Sequence, residues 1–219
     1  MKGPHQGQRV LTAGTPLSRA RAAMVMLHGR GATAESILTL ASALDAPDFA
    51  YLAPQAGGNS WWPQSFLAPI VSNEPGISSG MAAVEDVLRQ TAAAGIPPER
   101  TLLIGFSQGA CLATEFAARH ARRYGGVAGL SGGLIGPDGT PRDYAGSLEG
   151  TPVFLGCSDV DPHIPAERVR LSAEVMRKLG GDVTMRLYPG MGHQINEDEI
   201  EAVQAMMGAA ALNPSVRRA

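Results

Sequence analysis

Residues 101–119 read TLLIGFSQGACLATEFAAR. Leu102, Leu103 and Ile104 form the centre of a short apolar run with the length of a buried strand. Gly109–Arg119 is rich in small residues at helical spacing. Between them, Gly105–Phe106–Ser107–Gln108–Gly109 fits the pattern G-x-S-x-G. A serine placed between a strand and a helix must sit on a sharp turn, so that its hydroxyl projects above the end of the sheet. Such a turn imposes an unusual backbone angle at Ser107, and glycines on either side remove the Cβ atoms that would clash. The helix that begins there directs its N-terminus at the same point, where it favours developing negative charge. Glycine and serine are common in turns, so the pentapeptide by itself says little. The strand before it and the helix after it give it weight.

The same alternation runs outward in both directions. Upstream, Ala22–Leu27 and Phe49–Ala53 read as buried strands. Ala34–Leu44 reads as a helix capped by Thr33, and Ser79–Ala94 as a helix that starts at Ser78 or Ser79. Downstream, Gly126–Leu130, Val153–Gly156 and Val183–Tyr188 read as strands. Ala166–Leu179 and Asn196–Met207 read as helices, the latter capped by Asn196, with Glu197, Asp198 and Glu199 at the positive end of its dipole. Strands alternating with helices predict an α/β class: a mostly parallel central sheet with helices on both faces. The expectation is a single domain over residues 1–219, with an edge hairpin in residues 1–21 and a disordered tail at 213–219.

Bulk properties narrow the function. The chain has 219 residues, 44% hydrophobic and 17% charged, with a formal net charge of −2. That balance gives no footprint for nucleic acid or an anionic membrane. No stretch reaches the ~18 apolar residues of a membrane span, and the polar N-terminus lacks a signal core. The two cysteines, Cys111 and Cys157, have no metal-binding spacing. A cytoplasmic protein that needs no metal is expected, with a homodimer admissible.

A serine hydroxyl needs a base, and the base an orienting carboxylate. On a strand–turn–helix serine site these follow in the order Ser, acid, His. Of five histidines, only His193 lies beyond Ser107, a candidate acid and the last strand. His28 reads as a buried brace for its loop, His163 as part of the acid loop, His120 as a helix end and His5 as part of the polar N-terminus. Asp161, held in the proline-stiffened Asp161–Pro162–His163–Ile164–Pro165, is favoured as the acid over Asp159, which reads as a turn residue. The two N–H donors needed by a tetrahedral oxyanion are expected at Gln108 and, in His28–Gly29–Arg30–Gly31, at Arg30. Residues 57–70 hold both tryptophans and suit an acyl pocket. Trp62 is the better lining candidate, with Trp61, Met81, Leu134 and Met191 as further wall residues.

These motifs together resemble the phospholipase/carboxylesterase family, which includes the acyl-protein thioesterases. The resemblance rests on Leu27–His28–Gly29 with Gly31, on Gly105–Gly109, on Asp161–Pro165 and on Gly190–Met191–Gly192–His193, with Glu74–Pro75–Gly76–Ile77 in addition. It implies an α/β-hydrolase fold without a large cap domain and a cofactor-free Ser107–His193–Asp161 triad, with backbone donors at Arg30 and Gln108. One departure is Arg30, where many long-chain thioesterases carry an apolar residue. It favours a carboxylesterase for small to medium acyl esters over a thioesterase or lysophospholipase. A non-catalytic binding protein on the same scaffold ranks last, because each catalytic position holds the required residue type.

Overall fold

The computed structural model describes residues 3–212 (for Leu212, its backbone). Strands β1 (Val10–Gly14), β2 (Ala22–Leu27), β3 (Phe49–Pro54), β4 (Thr101–Phe106), β5 (Gly126–Leu130), β6 (Pro152–Ser158) and β7 (Asp182–Tyr188) form one seven-stranded sheet in the order β1-β3-β2-β4-β5-β6-β7. All neighbours are parallel except β1, which runs antiparallel to β3. The five α-helices are α1 (Ala34–Leu38), α2 (Gly76–Ala93), α3 (Gln108–Arg119), α4 (Ala166–Lys178) and α5 (Glu197–Leu212).

The strands are apolar without interruption because both sheet faces are covered, and alternate residues serve opposite cores. Ala23, Val25 and Leu27 of β2 pack with α2, α3 and α4, through Val84, Leu112, Phe116 and Val169. Ala22, Met24 and Met26 point the other way, to Ile37 of α1 and Val203 and Met206 of α5. Each fully buried Val, Leu, Phe or Met among them contributes roughly 1.5–3 kcal/mol. The strand order reverses beside β2, with β3 on one side and β4 on the other. Open α/β sheets bind ligands at the carboxyl ends of strands at such a switch point. Here those ends carry the 28–31 loop and Ser107.

The N-terminal hairpin is corrected. The described part of residues 1–21 holds one strand, β1, which pairs antiparallel with β3 at the sheet edge. Residues before it fold back onto α2, where the His5 N–H donates to Ser79 Oγ at 2.9 Å and Gln6 Nε2 to the Ser79 carbonyl at 2.8 Å. Helix α2 starts at Gly76, ahead of Ser78. Glu74 Oε2 accepts the Ser78 N–H at 3.0 Å and the Pro75 carbonyl accepts that of Ser79 at 2.9 Å. The helix expected over 34–44 breaks into α1 and a 3-10 turn at Thr39–Ala43, although Thr33 and Ser36 do form its capping box. The expected tail at 213–219 lies outside the described residues. Among those described, no helix is long and apolar enough to cross a membrane.

Candidate active site

Ser107 sits between β4 and α3 with φ 57° and ψ −120°. A non-glycine residue pays of order 1–3 kcal/mol for that region, so the neighbours must hold it there. They do so by close approach. A Cβ at Gly109 would lie 2.1 Å from the Leu27 carbonyl oxygen, and one at Gly105 would lie 2.2 Å from Gly109. The Ser107 N–H donates to the Leu130 carbonyl at 3.0 Å, and its own carbonyl accepts the Cys111 N–H at 3.0 Å. The turn therefore needs glycine at both flanks, and the hydroxyl faces the cleft.

His193 Nε2 lies 2.9 Å from Ser107 Oγ, and its Nδ1 lies 2.7 Å from Asp161 Oδ2. With the carboxylate accepting from Nδ1–H, Nε2 is the free lone pair that faces the hydroxyl. Asp161 is buried beneath the histidine. Burial pushes its carboxyl up, but the bonds from His193 and from the His163 and Ile164 N–H groups outweigh this and hold it below the ordinary value. Those two amides donate to Oδ1 at 2.8 and 3.0 Å, and the Cys157 thiol approaches Oδ2 at 3.7 Å. Asp159 is placed differently from the expected local turn. Its Oδ1 accepts the Gly190 N–H at 2.8 Å, which ties the acid loop to the loop that carries His193.

On the other side of Ser107, the 28–31 loop comes up against the nucleophile. A Cβ at Gly29 would lie 3.3 Å from that of Ser107. The first turn of α3 leaves the Gln108 N–H without an intrahelical acceptor. His28 is fully buried, and burial lowers its pKa against the opposing bond to the Gly29 carbonyl. Its Nε2 accepts the Ala56 N–H at 3.1 Å, so the neutral ring braces the loop. The Gln108 side chain accepts the Trp61 N–H at 2.8 Å and donates to the Trp62 carbonyl at 2.9 Å.

Ser107, Gln108, Gly29, Arg30 and His193 share a cavity of about 490 Å³. Trp62 lines it, together with Phe66, Phe106 and Ile164. Trp61 and Met81 do not, which corrects the expectation for both. The Trp61 indole is fully buried because its N–H finds the His28 carbonyl at 2.9 Å, and Met81 faces the core from α2. Leu134 and Met191 are also absent from the wall. Met191 is turned so that its sulfur lies 2.9 Å from Asn196 Nδ2. Cys111 reaches the cavity floor as a buried thiol pushed up to about 12 by burial.

Three contributors escaped the sequence reading. His163 lines the cavity, with its ring edge-on to His193 at 4.8 Å. Its place in the acid loop was the available signal. Phe66 lies inside the stretch singled out at 57–70 but was overshadowed by the tryptophans. His5, expected only as part of the polar N-terminus, is buried, with Nε2 at 2.8 Å from the Trp61 carbonyl and the Gly57 N–H donating to Nδ1 at 3.0 Å. Nothing local to His5 announces this.

The sequence profile of the phospholipase/carboxylesterase family matches residues 13–210. The chain belongs to this family. A phospholipase/carboxylesterase from Dyadobacter fermentans superposes with a TM-score of 0.88 at 42% identity, covering 92% of this chain and 96% of that one. Acyl-protein thioesterase 1 of Gibberella zeae is 33% identical over 146 residues, spanning 63% of this chain and 60% of its own length. Acyl-protein thioesterase 1 of Saccharomyces cerevisiae is 27% identical over 215 residues, spanning 87% and 93%. The family's α/β-hydrolase fold is the architecture described above.

Proposed function

We propose that this protein is a serine carboxylesterase that hydrolyses small to medium acyl esters, with Ser107 as nucleophile, His193 as base and Asp161 as the orienting acid. The observation that supports this most strongly is the unbroken relay Ser107 Oγ–His193 Nε2, 2.9 Å, and His193 Nδ1–Asp161 Oδ2, 2.7 Å, opening into the cavity. Ser107 Oγ attacks the ester carbonyl carbon while its proton passes to His193 Nε2. The resulting oxyanion is met by the backbone N–H groups of Arg30 and Gln108. Collapse breaks the bond to the alcohol oxygen, which leaves with the proton from His193. Water then attacks the acyl-serine, gives a proton to the same nitrogen, and a second collapse releases the carboxylic acid and restores Ser107.

A cavity bounded by Trp62, Phe66 and Arg30 favours short acyl groups. The competing reading is a thioesterase or lysophospholipase for longer chains, favoured by the names of the fungal relatives. The two differ in sign along an acyl series, because each added buried methylene in an open groove gains roughly 0.8 kcal/mol. The test is kcat/KM for p-nitrophenyl esters from acetyl to palmitoyl, each below its micelle concentration, with fluorophosphonate labelling of Ser107. Acetyl to hexanoyl esters are expected to be the better substrates. A value that keeps climbing through dodecanoyl replaces this reading with the thioesterase one. Absence of both hydrolysis and labelling removes the enzyme reading altogether.

A further inference from the structure

The walls of the cavity are chemically unequal. Trp62, Phe66, Phe106 and Ile164 make one part apolar, whereas Arg30 and Gln64 make another polar. Among the described residues no Asp or Glu lines the cavity, and Arg30 contributes the one permanent charge. The guanidinium is held in place. Nη1 donates to the Pro63 carbonyl at 2.6 Å and Nη2 donates to the Gln64 carbonyl. Both acceptors are neutral, so they fix the orientation of the fork without cancelling its charge. Glu35, an acid near the start of the following helix, is paired with Arg9, and no carboxylate of the described residues pairs with Arg30. A guanidinium offers five N–H donors in a planar fork that matches a carboxylate. Its backbone belongs to the loop whose Gly29 abuts Ser107, and the side chain lines the same cavity as the nucleophile.

We infer that Arg30 determines specificity by selecting esters that carry an anionic group, such as a carboxylate, on the acyl or the alcohol side of the scissile bond. This rests on the esterase reading above and names the substrate class of that same site. An oriented cation in a cleft without opposing acids raises the local concentration of anionic substrate. It then forms a charge-assisted bond that a hydrocarbon of the same shape lacks. A neutral acyl chain laid along this wall would instead desolvate the charge without compensation.

The test uses matched pairs followed by proton release. On the acyl side, ethyl hydrogen adipate is compared with ethyl hexanoate. On the alcohol side, 4-(butanoyloxy)butanoate is compared with butyl butanoate. In the wild-type protein the anionic member of at least one pair is expected to have a kcat/KM about three- to tenfold higher, carried mainly by KM. That advantage should shrink as salt is raised from about 0.02 to 0.5 M. In Arg30→Gln the anionic-to-neutral ratio should fall to about one, while Arg30→Lys keeps part of it. Ratios are compared within each variant, because the Arg30 backbone also serves the oxyanion. A ratio at or below one on both sides in the wild type overturns the inference, as does a ratio that Arg30→Gln leaves unchanged. If that variant does not fold, an anionic advantage in the wild type that salt leaves intact overturns it. Failure of the esterase reading looks different, since none of the four esters would then be cleaved and Ser107 would resist the fluorophosphonate.

Discussion

The two sides of the cleft hold their functional groups by different means. On the oxyanion side, fully buried Trp61 donates its backbone N–H to Gln108 and its indole N–H to the His28 carbonyl, and its own carbonyl meets His5. Gln108, one expected donor position, and His28, two residues before the other at Arg30, are thereby tied to one residue through buried bonds. On the other side His193 rides on a partly exposed loop. That loop is fastened by Asp159 to the Gly190 N–H and by Ser158 Oγ to the Gly192 N–H at 3.1 Å. Electrostatics separate the two sides as well. His5 and His28 are kept neutral by burial, with lowered pKa values, whereas Glu199 beside the base loop is an acid pushed up to about 7 by burial. One side is a rigid brace, and the other is a fastened loop set over a buried acid.

The sharpest way to break this comparison is to remove the relay that bridges the two sides. Ser107→Ala and His193→Ala should each lower kcat by about 10⁴-fold or more, and the double variant should lose little beyond either single one. Both proteins should melt near the wild type. Asp161→Asn should cost about 10³-fold or more, whereas Asp159→Asn keeps an oxygen acceptor for Gly190 and should cost little. Near-wild-type turnover in Ser107→Ala or His193→Ala would remove the mechanism. The reverse ranking of the two aspartates would move the acid to Asp159.

How far the sequence discloses each side follows from how local its bonds are. The turn at Ser107 is written in five consecutive residues, since the glycines that it requires flank the serine itself. Asp161 is similarly marked, because its Oδ1 accepts from His163 and Ile164 within the same short loop. The brace is not local. His5 reaches Trp61 across 56 residues, and Trp61 reaches Gln108 across 47. No spacing rule connects such pairs, so nothing in the sequence marks the reach of His5 or separates Trp61, which packs behind the loop, from Trp62, which lines the pocket. The start of α2 was misplaced for a related reason. Serine is the usual cap, but here Glu74 and Pro75 take that role while Ser79 serves the N-terminal segment.

A medium-sized effect sharpens the brace. Trp61→Phe keeps a ring but leaves the His28 carbonyl without its donor, a buried loss of roughly 1–3 kcal/mol. If Trp61 sets the spacing of the two donors, kcat should fall about tenfold with KM little changed, and a boronic acid that mimics the tetrahedral state should bind correspondingly more weakly. His5→Ala should act in the same direction but less, and His5→Gln should restore part of the rate by replacing both ring-nitrogen bonds. Loss of melting temperature with unchanged kcat and boronate affinity would reduce Trp61 and His5 to packing roles. The two buried histidines also set a sign. Their depressed values give stability that is present above the ordinary 6.5 and is lost as pH falls through the lower folded values.

The smallest effect concerns Glu199, and there the sign reverses. Its Oε2 accepts the Asn196 N–H at 2.9 Å while Asn196 Oδ1 accepts the Glu199 N–H at 2.9 Å, the capping box that starts α5. The other oxygen, Oε1, is buried with no partner among the described residues, in space that exists only because residue 156 is glycine. Burial is the main cause of its raised value; the bond from Asn196 opposes it and the nearby Asp198 adds to it. Below the ordinary 4.5 both folded and unfolded chains carry the proton, so the contribution is fully present. As pH rises toward about 7 the unfolded chain ionises while the folded one keeps its proton, and stability is lost across that window. Glu199→Gln keeps an oxygen for the Asn196 N–H and cannot ionise. Its melting temperature relative to wild type should therefore rise between about pH 5 and pH 8, by roughly 3 °C or more. The brace variants should show no such trend, because their histidines act at the acid end. A Glu199→Gln difference that stays flat with pH would mean that the carboxyl is ionised in the folded protein. The base loop would then sit beside a second buried negative charge in addition to Asp161, and the neutral-acid part of the contrast would fail.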